Sequence, residues 1–116
     1  MLDYEGNLDR VFQALADPAR RGIVERLSRG PASVSELAHP LDMTLAAALQ
    51  HVQVLERSGV LTSRKVGRTR TCELELAGLD LAAKWIASRR ALWERRLDRL
   101  DELLRDEATD GSDEAE

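Results

Sequence analysis

Large aromatic side chains are scarce in this 116-residue chain, where one Phe, one Tyr and two Trp make up 3% of the residues. That scarcity argues against an all-β sandwich, and the abundance of Leu, Ala and Arg favours helices around an aliphatic core. A single cysteine, Cys72, excludes an internal disulfide, and one thiol with two distant histidines makes no metal-ligand spacing. No apolar run reaches eighteen residues, and Met1-Leu2-Asp3-Tyr4-Glu5 lacks the basic-then-apolar order of a signal peptide. A cytoplasmic protein with no membrane partner is expected. Also missing are a Ser/His/Asp elbow, a phosphate-binding glycine loop and a metal cluster, so no enzyme, catalytic residue or cofactor is assigned. Without a long Gly/Ser or Pro-rich linker, the length suits one domain.

The formal charge of −4 argues against nucleic acid only if it is evenly spread, and it is not. Residues 101–116 hold eight acids against Arg105 alone, leaving 16 basic and 13 acidic residues in the first hundred. Arg57, Arg64, Lys65, Arg68 and Arg70 fall in one stretch, ending at Cys72, that contains no acid. Positive charge is therefore concentrated where a polyanion could be met.

Leu8, Val11, Phe12 and Leu15 recur at helical spacing until Asp17-Pro18, a capping residue followed by a proline suited to the first helical turn. Ile23, Val24 and Leu27 stripe a second helix that Gly30-Pro31 ends. Ser33-Val34-Ser35-Glu36 reads as a capping box opening a short helix that Pro40 interrupts. Thr44 caps a longer helix with Ala48, Val52 and Leu55 on its buried face, closed by Ser58-Gly59. Val60 to Val66 and Thr71 to Leu76 alternate as strands around Gly67-Arg68-Thr69-Arg70, which makes a β-hairpin. A long helix is expected from Leu79 to about Arg105, with Ile86, Trp93 and Leu100 seven apart and Leu97 and Leu104 between and beyond them. The fold class is mainly α with a small β-hairpin: a winged helix-turn-helix with a long C-terminal dimerisation helix. The expected organisation is a DNA-binding and dimerisation domain over 1–105 and an acidic, disordered tail over 106–116.

Particular residues also carry a family resemblance. Phe12-Gln13-Ala14-Leu15-Ala16-Asp17-Pro18-Ala19-Arg20-Arg21-Gly22-Ile23 resembles the opening signature of ArsR-type (ArsR/SmtB-like) regulators. Asp42-Met43-Thr44 with His51-Val52-Gln53-Val54-Leu55-Glu56 is similar to their recognition helix. Arg64-Lys65-Val66-Gly67-Arg68 and Trp93 through Leu100 are similar to a metal-independent branch, and the resemblance covers roughly residues 8–104. It implies a symmetric homodimer, assembled by its first and last helices, that represses transcription on a double-stranded DNA operator until an unidentified small-molecule or protein inducer displaces it. Family metal sensors use cysteines in the short helix or His and acids in the last. Ser33 to Ala38 has no Cys and the last helix has no His, so no metal is expected.

On this reading Thr44, Leu45, Ala46, Leu49, Gln50 and Gln53 form the DNA-facing surface, with glutamine suited to bidentate bonds with adenine. Leu49-Gln50 stands where the family usually has Ser-Lys, and Ala46 replaces a common Pro. Apolar contact with thymine methyls and shape readout must then carry much of the recognition. Lys65, Arg68 and Arg70, with Arg64, are set to straddle a phosphate backbone, with Arg68 placed for a minor groove. His51 either donates to DNA or bridges neighbouring helices. Arg20 is read as structural and Arg21 as either structural or a phosphate contact. Cys72 is read as a small buried hydrophobe, with a redox switch as the alternative. Leu8, Val11, Phe12, Leu15, Ile86, Trp93, Leu97, Leu100 and Leu104 are assigned to the dimer seam in preference to a ligand pocket. The rival function is a winged-helix protein-interaction module that uses the apolar Leu45 to Leu49 face.

Overall fold

The computed structural model describes residues 4–114, with side chains over 6–108. Its elements are α1 (Tyr4–Leu15), α2 (Pro18–Leu27), β1 (Ala32–Ser33), α3 (Val34–Ala38), α4 (Leu45–Arg57), β2 (Leu61–Val66), β3 (Thr69–Leu74) and α5 (Leu76–Glu114). The strands form one antiparallel sheet in the order β1-β3-β2.

Short polar side chains start the helices by accepting otherwise orphaned backbone N–H groups. Asp17 accepts from Ala19 at 2.8 Å and Arg20 at 3.3 Å, with Pro18 opening α2. Ser33 and Glu36 complete a reciprocal capping box on α3. Thr44 Oγ1 accepts from Ala47 N at 3.1 Å and starts α4. Between α3 and α4 the chain reverses through Asp42, which adopts φ 51°, a left-handed conformation that aspartate tolerates better than most residues.

The core is aliphatic, as the composition requires. Val11 and Ala14 of α1, Ile23 and Leu27 of α2, Leu37 of α3, Ala48, Val52 and Leu55 of α4, and Leu61 and Cys72 of the sheet belong to one buried cluster. Two strand details depart from the sequence reading. The two-residue strand β1 pairs Ala32 with Cys72 and Ser33 with Thr71, a long-range pairing that no local pattern signals. Pairing also continues to Val66 and Thr69, so β3 starts before Thr71 and the loop is only Gly67-Arg68. Gly67 takes φ 64° at the first central position, as a type II′ hairpin turn requires.

The chain divides into two compact units, the first ending at Ala83 and the second beginning at Lys84, inside α5. Helical backbone starts at Leu76, earlier than Leu79, and continues past Arg105 to Glu114, where the sequence reading expected a disordered acidic tail. Residues 115 and 116 of that expected tail lie outside the described residues. Within the second unit, Ile86, Trp93, Leu97, Leu100 and Leu104 are all exposed along one helix. Among the described residues no helix is long and apolar enough to cross a membrane.

The α1 residues expected in the seam separate into two groups. Val11 is fully buried in the chain's own core and Leu8 is 7% exposed, so neither has surface to offer a second chain. Leu15 packs against the core, and Phe12 is the exposed member. An apolar helical stripe records burial without saying whether the chain itself or a partner supplies it.

Candidate nucleic-acid interface

Helix α4 presents three different sides. Ala48, Val52 and Leu55 enter the core. Leu45 and Leu49 look toward the β2–β3 hairpin, where they line a groove of about 540 Å³ with Ser33, Ser35, Lys65, Arg68 and Arg70. Ala46, Gln50, Gln53 and Arg57 are exposed at helical spacing, on the side away from the core. The residues expected to read DNA are thus split between an apolar groove wall and a polar outer stripe.

Strand alternation sorts the hairpin cations. Lys65 pairs with Arg70 and Ser63 with Cys72, whose side chains share the face turned toward α4. Arg64 pairs with Thr71 on the opposite face and, with Thr62 and Glu73, lines a separate depression. Arg64 therefore stands apart from Lys65, Arg68 and Arg70, contrary to their grouping in the sequence reading. A period of two makes that separation unavoidable, and Arg68 stands at the turn.

Arg70 is held by a relay. Its Nη1 donates to Ser63 Oγ at 2.9 Å, and Ser63 Oγ donates to Glu56 Oε1 at 2.8 Å. The hairpin is thereby fastened to the C-terminal half of α4, which fixes the angle between wing and helix. Lys65 and Arg68 are exposed, and among the described residues no ion pair or hydrogen bond engages either side chain.

His51 lies on a different side of α4 from the groove. It is half-buried, and its Nδ1 lies 3.4 Å from Arg20 Nη1. That contact fits the helix-bridging alternative. Arg20 also donates from Nε to Ala14 O at 2.7 Å and from Nη2 to Gln13 O at 3.0 Å, satisfying carbonyls at the C-terminus of α1. Arg21 Nη1 does the same for Leu15 O at 2.8 Å.

Cys72 is fully buried. Burial pushes its thiol pKa up, the Glu56 carboxylate adds to the rise, and Arg70 opposes it only in part. A thiol kept protonated and away from solvent is a poor nucleophile, which favours the packing role.

Several residues beside the groove stand outside the sequence-predicted site. Ser33, Ser35 and Thr69 place hydroxyls beside Lys65 and Arg68. Ser33 is brought near by its pairing with Thr71, which local patterns do not reveal, and Thr69 by the two-residue turn of the hairpin. Arg57 continues the Gln50 and Gln53 stripe, and its spacing of four from Gln53 was a readable signal.

The fold recurs in proteins of known structure. The crystal structure of the ArsR family transcriptional regulator RHA00566 superposes with a TM-score of 0.75 and is 48% identical, covering 81% of this chain and 97% of that one. The chain belongs to the ArsR family of transcriptional regulators. A helix-turn-helix domain family matches residues 15–64, from the end of α1 into β2. The HTH-type transcriptional regulator Rv2034 of Mycobacterium tuberculosis is 45% identical over 71 residues, which span 61% of this chain and 66% of that protein. The solution structure of Mb0332 from Mycobacterium bovis, described as a homodimeric winged helix-turn-helix DNA-binding domain and a possible ArsR-family regulator, is 25% identical. It covers 85% of this chain and 93% of that one, with a TM-score of 0.58. Among the described residues of this ArsR-family chain, no three or more His, Cys, Asp or Glu side chains gather as a metal site.

Proposed function

We propose that this ArsR-family chain is a cytoplasmic, sequence-specific DNA-binding repressor that acts as a homodimer. Thr44, Leu45, Ala46, Leu49, Gln50 and Gln53 enter the major groove, and Lys65, Arg68 and Arg70 engage phosphates or the minor groove. The observation that carries this reading is the groove between α3, α4 and the hairpin, where hydroxyls and cations line one cleft against two leucines. Cations set the phosphate affinity, and the Leu45, Ala46 and Leu49 surface suits thymine methyls. Arg64, on the other hairpin face, serves a flanking phosphate, while His51 works through Arg20.

For the dimer, the exposed Ile86, Trp93, Leu97, Leu100 and Leu104 stripe of α5, with Phe12 of α1, is the proposed seam. Family membership and the homodimeric Mb0332 domain support it. The DNA-binding and dimerisation domain spans 1–105, the chain acts by binding and not by catalysis, and a small-molecule or protein inducer releases it from the operator. Footprinting on DNA upstream of the chain's own gene tests the proposal. Two symmetric protected half-sites about 34 Å apart are expected. Absence of protection at low salt would favour the protein-interaction module.

A further inference from the structure

A second cleft, of about 570 Å³, opens on another side of α4 and is lined by Arg10 and Gln13 of α1, Arg20 of α2, and Val54, Arg57 and Ser58 around the end of α4. Val54 follows Leu49 by five residues, which at 3.6 residues per turn turns it about 140° around the helix from the hairpin groove. The two concavities are therefore distinct, and Arg57 stands where this cleft meets the Gln50 and Gln53 stripe.

The lining is unbalanced in charge, with three arginines and no acid. Arg20 has its donors engaged by Ala14, Gln13 and His51, and Asp17 lies 3.7 Å from its guanidinium, so it contributes little free charge. Arg10 and Arg57 differ. Among the described residues neither side chain has an ion pair or a hydrogen-bond acceptor, and both are exposed. Two guanidinium forks on separate helices, with the Gln13 amide beside them, match the planar geometry of carboxylate and phosphate oxygens. Val54 adds an apolar contact, and Ser58 Oγ already donates to Leu55 O at 2.8 Å. The volume suits a small ligand.

We propose that this cleft binds a small multivalent anion, a polycarboxylate or a phosphorylated compound, through Arg10, Gln13 and Arg57. As the site of the releasing signal it rests on the DNA-binding reading above, whereas the binding itself is measured without DNA.

Isothermal titration of the full chain with citrate and with pyrophosphate, against chloride at matched ionic strength, tests the proposal. Saturable binding of one anion per chain is expected for at least one probe, weakened at least tenfold in Arg10→Gln and in Arg57→Gln. Stronger citrate binding identifies the carboxylate class, and stronger pyrophosphate binding the phosphorylated class. Thermal melts without anion should match the wild type for both variants, since both side chains are exposed. Lys65→Gln, in the other groove, should retain anion binding whatever it does to DNA. The proposal is overturned if neither probe binds beyond chloride, if Arg10→Gln and Arg57→Gln bind like wild type, or if Lys65→Gln loses as much as they do.

Discussion

Arg20 Nη1 stands 3.4 Å from Nδ1 of His51, joining the start of α2 to the middle of α4. Because arginine has no acceptor, the pair is a hydrogen bond only when Nδ1 carries its lone pair. The same guanidinium holds two carbonyls of α1. Arg20→Ala is expected to lower folding stability by about 2 kcal/mol, a typical cost of losing charge-assisted hydrogen bonds. His51→Ala should cost less, because it removes one bond of three. Urea denaturation of both variants checks the order, and the reverse order would show that the histidine has a role the bridge does not explain.

Asp17 supplies the pH dependence. Partial desolvation pushes its pKa up, but the backbone N–H groups of Arg20 and Ala19, with the charges of Arg20 and His51, hold it below the ordinary aspartate value. A carboxylate with a lowered folded pKa stabilises above its unfolded value, near 3.9, and loses that contribution as pH falls through the folded value. Asparagine caps a helix about as well as aspartate. Asp17→Asn should therefore unfold at a similar urea concentration at pH 7 and show a flatter loss of stability below about pH 4. Identical acid limbs for the two proteins would contradict this.

Gly78 is a position where alanine should hurt. In an exposed helix interior, replacing glycine by alanine stabilises by up to about 1 kcal/mol. Here an added Cβ would lie 2.7 Å from Gly59 O, the carbonyl that accepts from Gly78 N at 3.0 Å. Gly78→Ala is expected to destabilise by about 1–3 kcal/mol, the usual cost of overpacking. An unchanged or raised melting temperature would show that this approach relaxes freely.

The proposed seam is tested by Trp93→Asp. Trp93 is 57% exposed on the described chain and lies seven residues from both Ile86 and Leu100. A carboxylate there should shift sedimentation from dimer toward monomer while leaving the helical circular dichroism of the first unit in place. A variant that remains fully dimeric would move the interface elsewhere.

Much of this was legible in the chain because it depends on local chemistry. Asp17-Pro18, Ser33 with Glu36, and Thr44 each mark a helix start by a short polar side chain at fixed spacing. What escaped depends on distant partners. Strand β1 exists only because Cys72 and Thr71 are there to pair with it. The polar Thr69 and Arg70 disguised the start of β3. Val11 reads as an interface residue until the folded chain buries it, and Arg64 falls on the opposite face from Lys65 once the hairpin register is set. The groove cations Lys65, Arg68 and Arg70 were visible as a run of charge, but the hydroxyls beside them were not.

The most direct test of the central claim is the salt dependence of binding to the upstream DNA fragment, followed by fluorescence anisotropy between about 50 and 200 mM salt. Log affinity should fall linearly with log salt, at about 0.9 per phosphate contacted. Lys65→Ala and Arg68→Ala should each reduce that slope by about one, whereas Gln50→Ala should leave it unchanged and relax base preference. Salt-independent binding, or wild-type slopes in both cation variants, would contradict the assignment of this groove to DNA.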